Sequence, residues 1–259
     1  MKVLSIGNSF STDAQRWLHD IALSDGYALD CVNLYIGGCS LERHYRNMVS
    51  GDAVYRYEIN GNTGNAALVS LKDALQKETW DVVTLQQNSR FAGIPESYEP
   101  YLSALIGFVK RTAPHAELRF HQTWAFEVGA ATGDFEAYHY DTDEMADKII
   151  AASEYHAART GLPVIPTGRV IAHFRRNVPQ FRTETGGMRL TRDERHLSLT
   201  LGRCLAGLVF YAFLTGRDIR NISFVPTAEG GETDIALLSV IRENLDAFLK
   251  TESGAFGAS

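Results

Sequence analysis

The sequence has few cysteines, no excess of basic residues and no long hydrophobic run. Its three cysteines, Cys31, Cys39 and Cys204, lack metal-ligand spacing, and their odd number does not suggest a disulfide framework. We expect them to be small buried side chains in a reducing compartment. The formal net charge of −6 argues against a general nucleic-acid-binding protein.

Apolar segments long enough for a secretion signal or a membrane span are also lacking. Met1 and Lys2 lead almost directly to Gly7, which leaves no room for the apolar part of a signal peptide. The longest apolar stretch, Leu205–Leu214, is about half of what a spanning helix needs. We therefore expect a cytoplasmic protein that does not act at a membrane; a leader trimmed from the sequence is the alternative.

Short apolar runs alternate with helical patterns along the chain. Strands are predicted at Lys2–Ile6, Leu29–Tyr35, Asp81–Leu85, Glu117–Gln122 and Pro163–Pro166. Helices are predicted at Thr12–Ser24, Ala66–Lys77, Tyr98–Thr112, Asp143–Thr160 and Leu199–Leu214. This alternation is typical of βαβ units around a parallel sheet.

One domain over residues 1–259 follows from this pattern, because no linker or composition break divides the chain. We predict a three-layer α/β/α sandwich with a roughly five-stranded parallel sheet. Val54–Ile59 alternates in polarity and ends in Asn60-Gly61, so a small hairpin insertion is predicted near residues 53–62.

A serine follows the first predicted strand, in the segment Gly7-Asn8-Ser9. In open parallel sheets, ligands bind outside the carboxyl ends of the strands. A serine hydroxyl becomes a nucleophile only when a base accepts its proton, and packing or helix capping would also explain a serine here. Ser11 is a rival nucleophile, but it lies beside a predicted Thr12–Gln15 capping box, so Ser9 is favoured.

A candidate base lies near the end of the chain, where Asp193 and His196 are three residues apart in a polar turn. A carboxylate at this spacing can accept a hydrogen bond from one ring nitrogen and leave the other free to face a serine. A surface aspartate beside a helix-start histidine is the alternative interpretation of the same pair.

Candidate donors for an oxyanion follow the second and third strands. Gly37-Gly38 can bring a backbone N–H close to a ligand, and the side-chain amide of Asn88, in Gln86-Gln87-Asn88, can donate a hydrogen bond. A plain turn and a loop-capping amide cluster are the alternatives.

Taken in order, these blocks resemble the SGNH, or GDSL-type, hydrolase superfamily. They read Gly7-Asn8-Ser9-Phe10, Asn33-Leu34-Tyr35-Ile36-Gly37-Gly38, Gln86-Gln87-Asn88-Ser89 and Asp193-Glu194-Arg195-His196. Tyr35 replaces a family glycine, and Gln86 and Ser89 replace a glycine and an aspartate. The chain looks most similar to a bacterial branch with Gly-Asn-Ser-Phe-Ser in its first block.

The resemblance implies a flavodoxin-like fold and a serine esterase. Ser9 would attack the ester, His196 would be general base and then general acid, and Asp193 would orient the imidazole. The backbone N–H groups of Ser9 and Gly38 and the side chain of Asn88 would hold the oxyanion. No cofactor is implied.

The substrate expected from this resemblance is a small acyl ester, most simply an acetyl group on a carbohydrate. Gln87 and Trp124 are the predicted substrate contacts, with Trp124 placed to stack on a sugar. The arginine-rich segment 169–195 favours either an anionic substrate or an ion-paired surface. His139 beside Asp141 and Asp143 matches no strong metal motif, and helix-start acids explain it.

The sequence is also compatible with two other functional classes. A non-catalytic protein could bind an anion or sugar at the start of the helix after Gly7-Asn8-Ser9. A phosphoester hydrolase would need metal ligands or arginines converging on Ser9.

Overall fold

Six strands form a single sheet in the computed structural model, which describes residues 1–64, 67–227 and 232–256, with side chains as far as Thr251. They are β1 (Lys2–Gly7), β2 (Asp30–Tyr35), β3 (Arg56–Ile59), β4 (Val82–Leu85), β5 (Glu117–His121) and β6 (Val164–Ile165). The order across the sheet is β3-β2-β1-β4-β5-β6, and every pair is parallel except β2 with β3. The predicted α/β fold with its central parallel sheet is confirmed.

The edge strand β3 comes from the segment in which a hairpin insertion was predicted. Arg56–Ile59 pairs antiparallel with β2 and extends the sheet by one strand. Tyr57 is buried on one face, and the Asn60 backbone N–H donates to the carbonyl of Cys31 at 2.8 Å. The alternation in the sequence thus belongs to a strand of the main sheet.

Helices cover both faces of the sheet, as the three-layer prediction requires. They are α1 (Ser9–Gln15), α2 (Leu18–Ser24), α3 (Leu41–Ser50), α4 (Leu71–Lys77), α5 (Tyr101–Thr112), α6 (Thr142–Thr160), α7 (Thr167–Asn177), α8 (Leu201–Thr215) and α9 (Ile235–Phe256). One core joins α1, α2, α7, α8 and α9 to side chains such as Val3 and Val82, and the other joins α3, α4, α5 and α6 to Leu4 and Val83. None of the described helices is long and apolar enough to cross a membrane.

The first helix begins earlier than the sequence predicts and is broken. Asn8, not Thr12, is the N-cap, and its side chain accepts from the Phe10 backbone N–H at 2.9 Å. The chain leaves the helix at Trp17 and resumes as α2 at Leu18. The predicted single helix Thr12–Ser24 and its capping box are therefore wrong, and Ser9 becomes the first residue of α1.

Other helix boundaries also differ from the prediction. The predicted helix Ala66–Lys77 begins at Leu71, where the Ser70 hydroxyl caps the Asp73 backbone N–H at 3.1 Å; Ala66 lies outside the described residues. The predicted helix Leu199–Leu214 is observed as Leu201–Thr215, and it ends at Gly216, which adopts φ +68°.

Candidate active site

The candidate nucleophile, Ser9, lies at the carboxyl edge of the sheet, where it is the first residue of α1 after β1. Its neighbours Asn8 and Phe10 are buried, whereas Ser9 is partly exposed. The extended backbone of Asn8 turns the chain from the strand into the helix, so the Ser9 side chain is presented at the surface.

His196 and Asp193 reach Ser9 across 187 residues of sequence and form a continuous relay with it. The Nε2 atom of His196 is 3.0 Å from the Ser9 Oγ, and its Nδ1 is 2.9 Å from the Asp193 Oδ2. Both distances are within hydrogen-bonding range for a nucleophile, a base and an orienting carboxylate. The structure therefore brings the three predicted catalytic residues together.

The Asp193 carboxylate is held in its charged form. Its partial burial would raise its pKa, but the backbone N–H groups of His196 and Arg195 and the imidazole together lower it to about 2. These N–H groups donate to its Oδ1 at 2.7 and 2.8 Å. The Oδ2 atom can then accept from Nδ1–H, which leaves Nε2 as the acceptor for the Ser9 proton.

Asn88 and Gly38, the other predicted oxyanion residues, contact each other. The Asn88 Nδ2 donates to the Gly38 carbonyl at 3.0 Å, and its Oδ1 accepts from the Phe91 backbone N–H at 3.0 Å. A carboxamide has two N–H groups, so one of them remains for a ligand. Gly38 is exposed and has φ +61°, a conformation that favours glycine. In the described chain, the backbone N–H groups of Ser9 and Gly38 have no internal hydrogen bond.

Two residues that sequence reasoning did not select, Asn8 and Gln86, join these parts. The Asn8 Nδ2 donates to the Cys39 carbonyl at 3.1 Å, and its Oδ1 accepts from the Gln86 Nε2 at 2.7 Å. The glutamine in place of a family glycine thus has a structural explanation. The available signal was the run of polar residues at the ends of two adjacent strands, β1 and β4.

The rival nucleophile, Ser11, lies beneath the site. It is fully buried, and its hydroxyl donates to the Gln86 Oε1. This placement favours Ser9 as the nucleophile, because Ser11 faces the sheet rather than the surface.

The prediction that Gln87 contacts the substrate is contradicted by the hydrogen bonds of its side chain. The side chain is buried, its Nε2 donates to the Ser97 carbonyl and hydroxyl at 3.0 Å, and its Oε1 accepts from the backbone N–H groups of Leu41 and Asn88 at 3.1 and 2.8 Å. Gln87 therefore shapes the loop that carries Asn88.

The prediction that Trp124 stacks on a sugar is also wrong. It is fully buried, its Nε1 donates to the Arg195 carbonyl at 2.8 Å, and its ring lies 4.2 Å from that of Phe10. It supports the turn that carries His196 from below. The amino-acid type suggested a ligand contact, but burial assigns the indole to the core.

Two buried carboxylates hold the turn Thr191–Leu197. Asp13 accepts from the Leu197 backbone N–H at 2.8 Å and pairs with Arg203 and Arg192 at 2.8 and 3.1 Å. On the other side, Glu127 accepts from the Thr191 hydroxyl at 2.6 Å and from Arg175 at 2.9 Å. The sequence carried no signal for these anchors, since their partners lie 48 to 190 residues away.

Most arginines of the segment 169–195 are committed to internal ion pairs, which agrees with the predicted ion-paired surface. The five pairs or clusters are Arg169–Glu154, Arg175–Glu127, Arg176 with Asp143 and Asp147, Arg192–Asp13 and Arg195–Asp134. This segment therefore offers little free positive charge to an anionic substrate.

The acidic residues around His139 have structural partners. Asp141 caps α6 by accepting from the backbone N–H groups of Asp143 and Glu144 at 2.8 and 2.9 Å, and the His139 Nδ1 lies 2.9 Å from Glu144. Within the described ranges, no group of three or more potential ligands is arranged to hold a metal ion.

Most of the chain matches a known protein family. The profile of DUF4886, described as a domain of unknown function, matches residues 2–238. A search of curated proteins found no match.

Three solved structures with similar folds range from 30% to 14% in their sequence identity to this chain. The crystal structure of a DUF4886 family protein from Bacteroides uniformis is 30% identical, with a TM-score of 0.85 over 96% of this chain and 94% of that one. A protein from Slackia heliotrinireducens, proposed to be an SGNH hydrolase, is 21% identical, with a TM-score of 0.56 over 83% and 98%. An acetyl xylan esterase is 14% identical, with a TM-score of 0.55 over 82% and 98%. This chain belongs to the DUF4886 family, and its fold is that of the SGNH hydrolases.

Proposed function

We propose that this protein is a serine esterase that removes small acyl groups, most simply acetyl groups, from a carbohydrate. The observation that carries the proposal is the relay from Ser9 through His196 to Asp193, with contacts of 3.0 and 2.9 Å. A protein that only binds a ligand at the start of α1 would not need an oriented imidazole at this position.

In the first half of the proposed reaction, the Ser9 Oγ attacks the ester carbonyl while its proton moves to the His196 Nε2. The backbone N–H groups of Ser9 and Gly38 and the free N–H of Asn88 stabilise the oxyanion. His196 then gives its proton to the leaving alcohol, and an acyl-serine remains.

In the second half, water attacks the acyl-serine and transfers a proton to His196. The tetrahedral intermediate collapses, His196 returns the proton to the Ser9 oxygen, and the carboxylic acid leaves. The Asp193 carboxylate stabilises the imidazolium in both halves without taking up the proton.

The substrate part of the proposal is supported by two observations. A protein of the same fold is an acetyl xylan esterase, and an acetylated sugar is the most direct inference from that likeness. The short segments around the site, at Gly37-Gly38 and Asp193–His196, contain no apolar helix that could serve as a lid for long acyl chains.

Hydrolysis of p-nitrophenyl acetate and p-nitrophenyl octanoate tests the proposal. We expect faster turnover of the acetate, loss of activity in Ser9→Ala, and retained activity in Ser11→Ala, the matched control on the same helix. A phosphonate probe should add to Ser9 in the wild-type protein. Full turnover by Ser9→Ala, or preferential hydrolysis of p-nitrophenyl phosphate, would overturn the mechanism.

A further inference from the structure

Helix α1 exposes a single stripe of side chains that begins at the nucleophile. From Ser9 to Arg16, only Ser9, Thr12 and Arg16 are partly exposed, and the other five residues are buried. Positions separated by three and four residues lie on the same face of a helix. At about 1.5 Å per residue, Arg16 lies about 10 Å along the axis from Ser9.

A cavity of about 660 Å³ opens at the far end of this stripe. The residues that line it include Arg16, Trp17, Gly61, Asn62, Leu199 and Arg203. Leu199 follows His196 by three residues, so one wall continues from the catalytic turn. The opposite wall packs tightly on α1, since a Cβ atom on Gly61 would lie 2.3 Å from the Arg16 carbonyl oxygen.

The cavity carries an excess of positive charge in a protein whose net charge is −6. Arg203 and Arg192 share one carboxylate, that of Asp13. The Arg16 guanidinium lies 3.8 Å from the centre of the Trp17 ring and has no carboxylate within 4.0 Å among the described residues. Asp20 acts on Arg16 only from beyond ion-pair distance.

The environment of Arg16 favours an anion as ligand. Burial lowers the pKa of this guanidinium, and the charge of Arg203 acts in the same direction, whereas Asp20 opposes them. A guanidinium whose plane is covered by Trp17 still offers its edge, which matches a carboxylate in a two-pronged hydrogen bond. Asn62 and Thr63 bring polar groups to the same cavity.

We propose that this cavity binds a carboxylate carried by the leaving alcohol, so that the substrate is an ester of an acidic sugar. The acyl group would lie at Ser9 and the carboxylate at Arg16, about 10 Å apart along α1. This inference rests on the proposed esterase function, whose reacting ester it extends with a second contact point.

Acetylated xylo-oligosaccharides with and without a glucuronate branch test the subsite. We expect wild-type kcat/KM to be higher for the acidic oligosaccharide, and Arg16→Gln to lower the ratio of acidic to neutral kcat/KM by about 10- to 100-fold, as for a lost charged hydrogen bond. Arg16→Lys should give an intermediate ratio, because it keeps the charge and loses the two-pronged geometry. Arg189→Gln, which removes an exposed arginine of the segment 169–195, is the control and should leave the ratio unchanged. An unchanged ratio in a folded Arg16→Gln protein would overturn the subsite.

Calorimetric titration of sodium glucuronate into Ser9→Ala separates this inference from the esterase proposal. Binding that is lost when Arg16→Gln is added supports the subsite even if no ester is hydrolysed, an outcome that would refute only the catalytic proposal. Absence of binding, binding unaffected by Arg16→Gln, or tighter binding of inorganic phosphate would each overturn the carboxylate assignment.

Discussion

Asn8 connects the parts of the candidate site through one carboxamide. Its oxygen accepts from the Phe10 N–H and from Gln86, while its nitrogen holds the Cys39 carbonyl beside Gly38. The start of α1, the loop of Gly38 and the strand that leads to Asn88 are thus joined by neutral hydrogen bonds in a buried setting. Such a network is sensitive, because removing one member leaves buried partners unpaired.

The protonation of single side chains leads to a prediction for the pH dependence of ester hydrolysis. The pKa of Asp193 is lowered to about 2, so this carboxylate stays charged over the working range. Loss of kcat/KM in acid, where the protein stays folded, is then expected from the imidazole, since a protonated His196 cannot accept the Ser9 proton. We expect p-nitrophenyl acetate hydrolysis to fall in acid with a single-proton dependence.

The same measurement on Asp193→Asn provides the comparison. Loss of the charged acceptor should lower kcat by about 10⁴-fold through the wrong imidazole tautomer. A flat profile for the wild-type protein from about pH 5 to 8 would contradict the role of His196 as the base.

Helix α1 combines three tasks within two turns. It presents Ser9 at its first position, buries Asp13 against the catalytic turn, and ends beside Arg16. The sequence predicted a helix here but not its limits. At the break, Trp17 makes a distant contact, the hydrogen bond from its Nε1 to the Leu199 carbonyl at 3.0 Å. Local patterns contain no information about such a partner.

Asp13→Asn tests the role of α1 in holding the base. This change leaves Arg192 and Arg203 without their shared negative charge, so we expect the free energy of unfolding to fall by about 3–5 kcal/mol. The turn that carries His196 should also lose its anchor at Leu197, with a lower kcat for p-nitrophenyl acetate. Urea unfolding and steady-state kinetics measure the two effects.

Glu42→Gln is the matched control for that experiment. It breaks an exposed pair with Arg46 on α3, and exposed pairs of this kind contribute about 0.3–0.5 kcal/mol. If Asp13→Asn behaved like Glu42→Gln in both stability and kcat, Asp13 would not be an anchor.

At the scale of the whole molecule, the sequence was most informative about the sheet. The parallel strands β1, β2 and β4 are nearly continuous buried runs, a local signal that does not depend on knowing the partner strands. The candidate site was predictable for Asp193 and His196, where the three-residue spacing and the resemblance to the SGNH hydrolases point to the same pair. It was not predictable for Gln87 and Trp124, because only the fold shows that their polar atoms are already satisfied by Ser97 and Arg195.

Global stability in acid offers a test of the second anchor, Glu127. Burial raises the pKa of this carboxyl, but Arg175, Thr191 and the Val128 N–H outweigh it, so the pKa lies below the ordinary value of a glutamate. A carboxyl group whose pKa is lower in the folded than in the unfolded protein stabilises the fold at any pH above its unfolded-state pKa. This stabilisation is lost as the pH falls from the unfolded-state pKa toward the folded-state pKa. We expect the free energy of unfolding to decline below about pH 4.5.

Glu127→Gln should make that decline shallower while lowering stability at pH 7, because Arg175 is left buried without its countercharge. Urea unfolding at several pH values from 7 to about 3 measures both changes. Identical pH slopes in the two proteins would show that Glu127 does not titrate with folding.

Asp13 lies one helical turn after Ser9 and holds the residue next to His196. We expect a small shift or tilt of α1 to move the Ser9 side chain and the turn of His196 in the same direction, because Asp13 joins the helix to that turn. The distance between the Ser9 Oγ and the His196 Nε2 should then change less than the position of the helix against the sheet. Because the proposed proton transfer depends on this distance, Ser9 and His196 should stay aligned when α1 moves slightly against the sheet.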